Sequence, residues 1–158
     1  MNNLVVEFLA SFLIYFLFFG LAILWVVDGK IKKEQVLHAL LATVIAWGIT
    51  AIIKLMFPTL RPFKTDGLPP LTFTIPGDSS FPSGHSAEAF ALAVTVWLHD
   101  RKVGWVFLGV ALVVALARVW ANVHYPIDIA VGALIGTTVA LIVERTHLSN
   151  FLASKRRK

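Results

Sequence analysis

LVVEFLASFLIYFLFFGLAILWVV, residues 4 to 27, carries a single charged residue, Glu7, in an otherwise apolar run. A helix needs roughly 17 to 25 such residues to cross a hydrocarbon core about 30 Å thick. The stretch therefore reads as a transmembrane helix and sets the environment for everything that follows. Val36 to Phe57, Val103 to Ala121, and Ile127 to Val143 with Asp128 near its end have the same reach. Ala87 to Leu98 is too short alone, but a helix beginning near Ser83 crosses most of the bilayer from a recessed start. The expected fold is all-α: a polytopic transmembrane bundle of about five helices, forming one integral membrane domain over residues 1 to 158.

Composition agrees, since 58% hydrophobic and 15% charged residues exclude an ordinary soluble domain. A cleavable signal peptide is not expected: no basic residue precedes the first run, Glu7 lies inside it and no small-residue cleavage site follows. The absence of cysteine removes disulfides, thiolate nucleophiles and sulfur-ligated metals, and leaves the redox compartment open. A net charge of +5 does not call for nucleic acid, because Lys155, Arg156, Arg157 and Lys158 lie together beyond the last apolar run. Anionic lipid headgroups are the simpler partner. The sequence does not specify an oligomeric state.

Lys and Arg are enriched in cytoplasmic loops. Lys30, Lys32, Lys33, Arg101, Lys102, Arg145 and the four terminal basic residues fall on one face of the expected bundle, against Lys54, Arg61, Lys64 and Arg118 on the other. This partition predicts a multi-pass protein of the cell (inner) membrane with an outer N-terminus and a cytoplasmic C-terminus. The one long loop, Pro58 to Pro82, holds six of the seven prolines and is not expected to be regular helix. Its apolar residues Leu68 to Phe73 and Ile75 suit the membrane interface, as do Trp25, Trp97, Trp105 and Trp120 near helix ends.

Three clusters at the outer ends of these runs carry the chemistry. Lys54 alone reads equally well as an interfacial side chain reaching for water. Arg61-Pro62 alters that reading, because proline biases Arg61 toward an extended backbone that can turn a bidentate guanidinium to an oxyanion. Pro82-Ser83-Gly84-His85-Ser86 starts a helix, whose free N–H groups and positive dipole end attract phosphate. A plain capping turn accounts for Ser83 and Gly84 but not for His85 or, one turn on, Glu88, since ionisable groups in membrane segments are costly. Glu88 is read as a buried interhelix hydrogen bond, with tuning of His85 or discrimination of a second phosphate as alternatives. In the third cluster, Pro126 in the first turn of the last helix puts His124 at its start and Asp128 four residues on, on the same side. The carboxylate can then accept the His124 Nδ1 proton and leave Nε2 free. Satisfied polar groups at a helix cap are the alternative, and they do not explain Arg118.

These spacings resemble the three-part signature of the type 2 phosphatidic acid phosphatase family, which also includes vanadium haloperoxidases. Its pattern is Lys, six residues, Arg-Pro; Pro-Ser-Gly-His; then Ser-Arg, five residues, His, three residues, Asp. Lys54, Arg61 and Pro62, then Pro82 to His85, then Arg118, His124 and Asp128 match it in order, with Ala117 where the family often has Ser. The resemblance implies that His124 is a nucleophile forming a phosphohistidine, Asp128 its orienting partner and His85 the general acid. Lys54, Arg61, Ser83, Gly84 and Arg118 would hold the phosphoryl oxygens, with no cofactor and no metal. The implied substrate is a lipid phosphate whose tail stays in the bilayer. A polyprenyl diphosphate such as undecaprenyl diphosphate is favoured over phosphatidylglycerophosphate, phosphatidic acid or lipid A. A vanadate-dependent peroxidase, testable by bromide oxidation, and a non-catalytic lipid-binding protein or transporter are the alternatives from other classes.

Overall fold

The computed structural model describes residues 4–27 and 33–145. In chain order they form α1 (Leu4–Val27), α2 (Lys33–Met56), α3 (Pro62–Asp66), α4 (Gly84–His99), α5 (Arg101–Trp120) and α6 (Pro126–Arg145). Helices α1, α2, α5 and α6 are long and apolar enough to cross a membrane. The fifth expected helix, α4, is present at 16 residues and does start behind Ser83. The single turn α3 is a correction to the expectation of no regular helix between Pro58 and Pro82. Pro62 stands at its first position, where a missing N–H costs nothing.

Side-chain size decides which helix lies in the middle. Ala87, Ala89, Ala91, Leu92 and Ala93 of α4 are fully buried, and α4 packs against α2, α5, α6 and, more lightly, α1. Large apolar side chains point the other way: Phe8, Phe16 and Phe19 on α1, Ile52 and Leu55 on α2, and Leu134 and Ile142 on α6 are exposed. That inversion suits a lipid solvent, where helices associate by close packing of small residues. Gly132 and Gly136 make the closest such contact. A Cβ at Gly136 would stand 2.1 Å from the Ala87 carbonyl oxygen, and one at Gly132 2.4 Å from that of Ser83. The backbones of α4 and α6 therefore touch, and the Ser83 N–H donates to the Asp128 carbonyl at 3.0 Å.

At the other end α4 reverses directly into α5. Asp100 caps α5 by accepting from the N–H groups of Lys102 (2.8 Å) and Val103 (3.1 Å). Trp97 lies 5.9 Å from Trp105, and the Arg101 guanidinium covers the Trp97 ring at 3.5 Å. Trp25, Trp105 and Trp120 are exposed near helix ends, whereas Trp97, expected among them as an interfacial anchor, is half-buried. Lys33, Arg101, Lys102 and Arg145 share this end of the bundle, where the start of α2 meets the ends of α4 and α6. Lys30, Lys32 and the four terminal basic residues lie outside the described residues.

Candidate active site

After α5 the chain turns through residues 121–125 before Pro126 opens α6. Asn122 makes the turn with a positive φ of 61°, and its amide donates to both oxygens of Asp66 at 3.1 and 2.9 Å. The turn brings His124 Nδ1 to 3.4 Å from Asp128 Oδ2. The same oxygen accepts from the Ser80 hydroxyl at 2.6 Å and the Tyr125 N–H at 2.9 Å, so the carboxylate is held from three sides. His124 Nε2 lies 3.3 Å from Arg61 Nη1. A guanidinium can only donate, so the Nε2 edge carries the lone pair and the ring proton belongs on Nδ1, facing Asp128. Burial lowers the imidazole pKa to about 4, with Asp128 raising it and Arg118, Arg61 and Lys54 adding to the lowering. His124 is thus neutral at physiological pH.

Three cations from three elements share the cavity with His124. Arg61 has the extended backbone expected before proline (φ −79°, ψ 152°). Its side chain is anchored by Nε to the Asp78 carbonyl (3.0 Å), Nη1 to the Val123 carbonyl (2.8 Å) and Nη2 to Asp78 Oδ1 (2.7 Å). Lys54, in the last turn of α2, donates to the Ser79 carbonyl and pairs with Asp78 Oδ2 at 2.8 Å. Arg118, in the last turn of α5, is buried and donates Nη1 to the Ala10 carbonyl of α1 at 2.8 Å, while its buried Nε has no hydrogen-bond partner among the described residues.

Lys54, Arg61, Gly84, His85, Arg118 and His124 line one cavity of about 560 Å³. Asp128 stands behind His124, outside the lining. Ser83 is the expected phosphate-binding residue that does not line it. It is fully buried, caps α4, and accepts from Ser86 N (3.4 Å) and Ser86 Oγ (3.0 Å). Glu88 corrects another expectation: it lines the cavity and makes no hydrogen bond among the described residues, because one turn after Gly84 it faces the same open space. Ala117 is buried in an apolar cluster with Ala10, Ala121 and Val123 rather than on the cavity wall.

Two side chains escape the sequence reading altogether. Asp78 bridges Lys54 and Arg61, which hold its carboxyl down at about 2 against the opposing effect of burial. Ser80 orients Asp128. Both belong to the long loop, pinned when the Ser79 hydroxyl donates to the Phe57 carbonyl (3.0 Å) and the Ser80 N–H to the Thr59 carbonyl (3.1 Å). The nearness of Asp78-Ser79-Ser80 to the Pro-Ser-Gly-His run is the only sequence signal they offer.

A family model described as the PAP2 superfamily matches residues 35–151. The bacitracin transport permease protein BcrC of Bacillus licheniformis is 37% identical over 90% of this chain and 70% of its own length. The undecaprenyl-diphosphatase BcrC of Bacillus subtilis is 30% identical over 76% of this chain, which spans 60% of that relative's length. The crystal structure of Aquifex aeolicus LpxE superposes with a TM-score of 0.74 at 27% identity, covering 92% of this chain and 88% of the other. The family match spans the three clusters that form the cavity and its His124–Asp128 backing, and the chain belongs to the PAP2 superfamily as a membrane lipid phosphatase.

Proposed function

We propose that this phosphatase hydrolyses a polyprenyl diphosphate, with undecaprenyl diphosphate the first candidate, through a phosphohistidine at His124. The observation that carries the mechanism is the placement of the His124 ring, backed by Asp128 on Nδ1 and open to the cationic cavity at Nε2. The lone pair of Nε2 attacks the terminal phosphorus, and the bond to the bridging oxygen breaks as that oxygen takes a proton from His85. Water then attacks the phosphohistidine and gives a proton back to His85. The P–N bond breaks and orthophosphate leaves. Lys54, Arg61 and Arg118, with the N–H groups at Gly84, stabilise the charge on the equatorial oxygens. Ser83 acts by capping the helix that presents those N–H groups. Catalysis at this site uses no metal ion, so it should survive EDTA and yield to vanadate, which adopts the geometry of phosphoryl transfer.

The substrate class is supported by the name of the Bacillus subtilis relative and by the shape of the cavity. Tyr15 of α1 and Trp47 and Leu55 of α2 form part of its wall and are exposed on the bundle's flank. A phosphate can sit among the cations while its tail leaves sideways into lipid. Phosphate release from undecaprenyl diphosphate, phosphatidylglycerophosphate, phosphatidic acid and lipid A in detergent tests the choice. Fastest turnover of the diphosphate is expected, and a glycerophospholipid turned over far faster would displace it.

The site faces outward in this proposal, with the N-terminus outside and the C-terminus in the cytoplasm, as the basic residues at the opposite end suggest. A cysteine at Thr65 should then react with an impermeant maleimide in intact cells, and one at Lys102 only after permeabilisation. The reversed pattern would turn the site to the cytoplasm.

A further inference from the structure

We propose that the end of the bundle opposite the phosphoryl site is a binding site for a divalent ion of the zinc class, held by His38, His99 and Glu144. The three residues come from α2, from the last position of α4 and from the last turn of α6. His38 Nδ1 lies 3.3 Å from Glu144 Oε2, and His99 Nε2 lies 3.5 Å from the same oxygen. One ligand atom from each residue falls within 4.8 Å of the other two. A tetrahedral zinc ion with bonds of about 2.0 to 2.1 Å sets neighbouring ligand atoms about 3.3 to 3.4 Å apart.

Hydrogen bonding does not account for the contact between His38 and Glu144. His38 is 3% exposed, yet neither of its ring nitrogens has a hydrogen-bond partner among the described residues, and neither does the buried Glu144 Oε2. Buried polar groups are almost always paired, because leaving them unpaired is costly. His38 Nδ1 and Glu144 Oε2 stand at ion-pair distance without the alignment of a hydrogen bond, and that is also the arrangement of two ligands on one ion. Two imidazoles and a carboxylate suit zinc and its borderline neighbours, whereas calcium and magnesium prefer oxygen alone. Three protein ligands leave a fourth position for water.

None of the three residues lines the catalytic cavity. The ion would instead tie together the helices whose other ends carry Lys54, His85 and Asp128. Its role is structural, and binding should appear as stability.

The test uses the tag-free full-length protein in detergent, stripped with EDTA and dialysed. Titration with Zn²⁺ should give one tightly bound ion per chain, and at about a hundredfold excess over Kd a rise in Tm of roughly 5 to 10 °C. His38→Ala and Glu144→Gln should each lose both effects, while the catalytic variant His124→Ala keeps them. If His38→Ala does not fold, the partly exposed Glu144→Gln decides the matter, together with the visible spectrum of the Co²⁺-loaded parent, expected to have four-coordinate intensity. Zinc uptake by the parent no greater than by Glu144→Gln, or a six-coordinate cobalt spectrum, would overturn the site. Any loss of phosphatase activity in EDTA that also occurs in Glu144→Gln arises elsewhere and counts against the catalytic proposal instead.

Discussion

The two ends of the bundle hold their ionisable groups by different means. At the phosphoryl end, Arg61 rests on the backbone carbonyls of Asp78, Ser79 and Val123, and Lys54 on that of Ser79. Asp128 is fixed by a hydroxyl and a backbone N–H. At the far end, His38, His99 and Glu144 press against one another, and His38 has no hydrogen bond among the described residues to fix its ring. Groups anchored to backbone keep their positions when an anion arrives, which is what stabilising a transition state requires. A buried ring such as His38, which lacks such an anchor, depends on what binds beside it. On the two proposals, one end receives a transient charge and the other holds a resident one.

Substitutions at the two ends should therefore separate cleanly. The largest effect is expected for His124→Ala, with loss of turnover by on the order of 10⁴ or more, and Asp128→Asn should retain a weak residue of activity. Steady-state phosphate release checks both. His38→Ala should change kcat by less than about twofold in protein that remains folded, since a structural ion acts on stability rather than chemistry. A large fall in kcat there would break the contrast between the ends. Arg118→Ala comes next, at about 10² to 10³ in kcat if its unpartnered Nε serves the phosphoryl oxygens.

Asp78 offers a smaller and sharper test. Its carboxylate pairs with the two cations proposed to receive the substrate phosphate, so an incoming anion must displace it. Backbone carbonyls also hold Lys54 and Arg61, so Asp78→Asn should leave them in place and tighten inhibition by orthophosphate or vanadate. The gain should be about two- to fivefold, because the Asp78 side chain is 56% exposed and its ion pairs are screened by water. Weaker inhibition would mean that the carboxylate positions the cations instead of competing for them.

The lowered His124 pKa bears on the acid side of the pH dependence, while the general acid His85 governs the other. Protonation removes the nucleophilic lone pair, so that group alone leaves activity intact through neutral pH and causes an acid limb only near about pH 4. Nitrogen chemical shifts of labelled histidine should keep His124 neutral well below the ordinary imidazole range. A titration near 6.5 would show that water and counter-charge reach the ring far more than its 2% exposure implies.

Much of this architecture was legible in the chain because bilayer thickness imposes a length on each apolar run. Even the short α4 followed from a helix start at Ser83 before Ala87 to Leu98. The charged spacing was legible too, since Arg118, His124 and Asp128 span one helix end, a turn and one helix start, so local geometry carries their positions. Asp78 and Ser80 were not legible. Their roles come from the path of an irregular loop, which depends on contacts such as the Leu71 N–H to the Ala121 carbonyl at 2.9 Å. No period or spacing encodes such a path. Glu88 was misread for a related reason: helical phase places it beside Gly84, but only the packing of α1, α2 and α4 reveals that this side opens on a cavity.

The covalent role of His124 is tested most directly by rapid quench. The enzyme would be mixed with undecaprenyl diphosphate labelled in its terminal phosphate, stopped in base before the first turnover is complete, and digested for peptide mass analysis. Label is expected on the peptide carrying His124, stable in base, lost in acid and absent from His124→Ala. Label on another residue, or a first turnover completed with no phosphate on that peptide at any time sampled, would contradict the phosphohistidine.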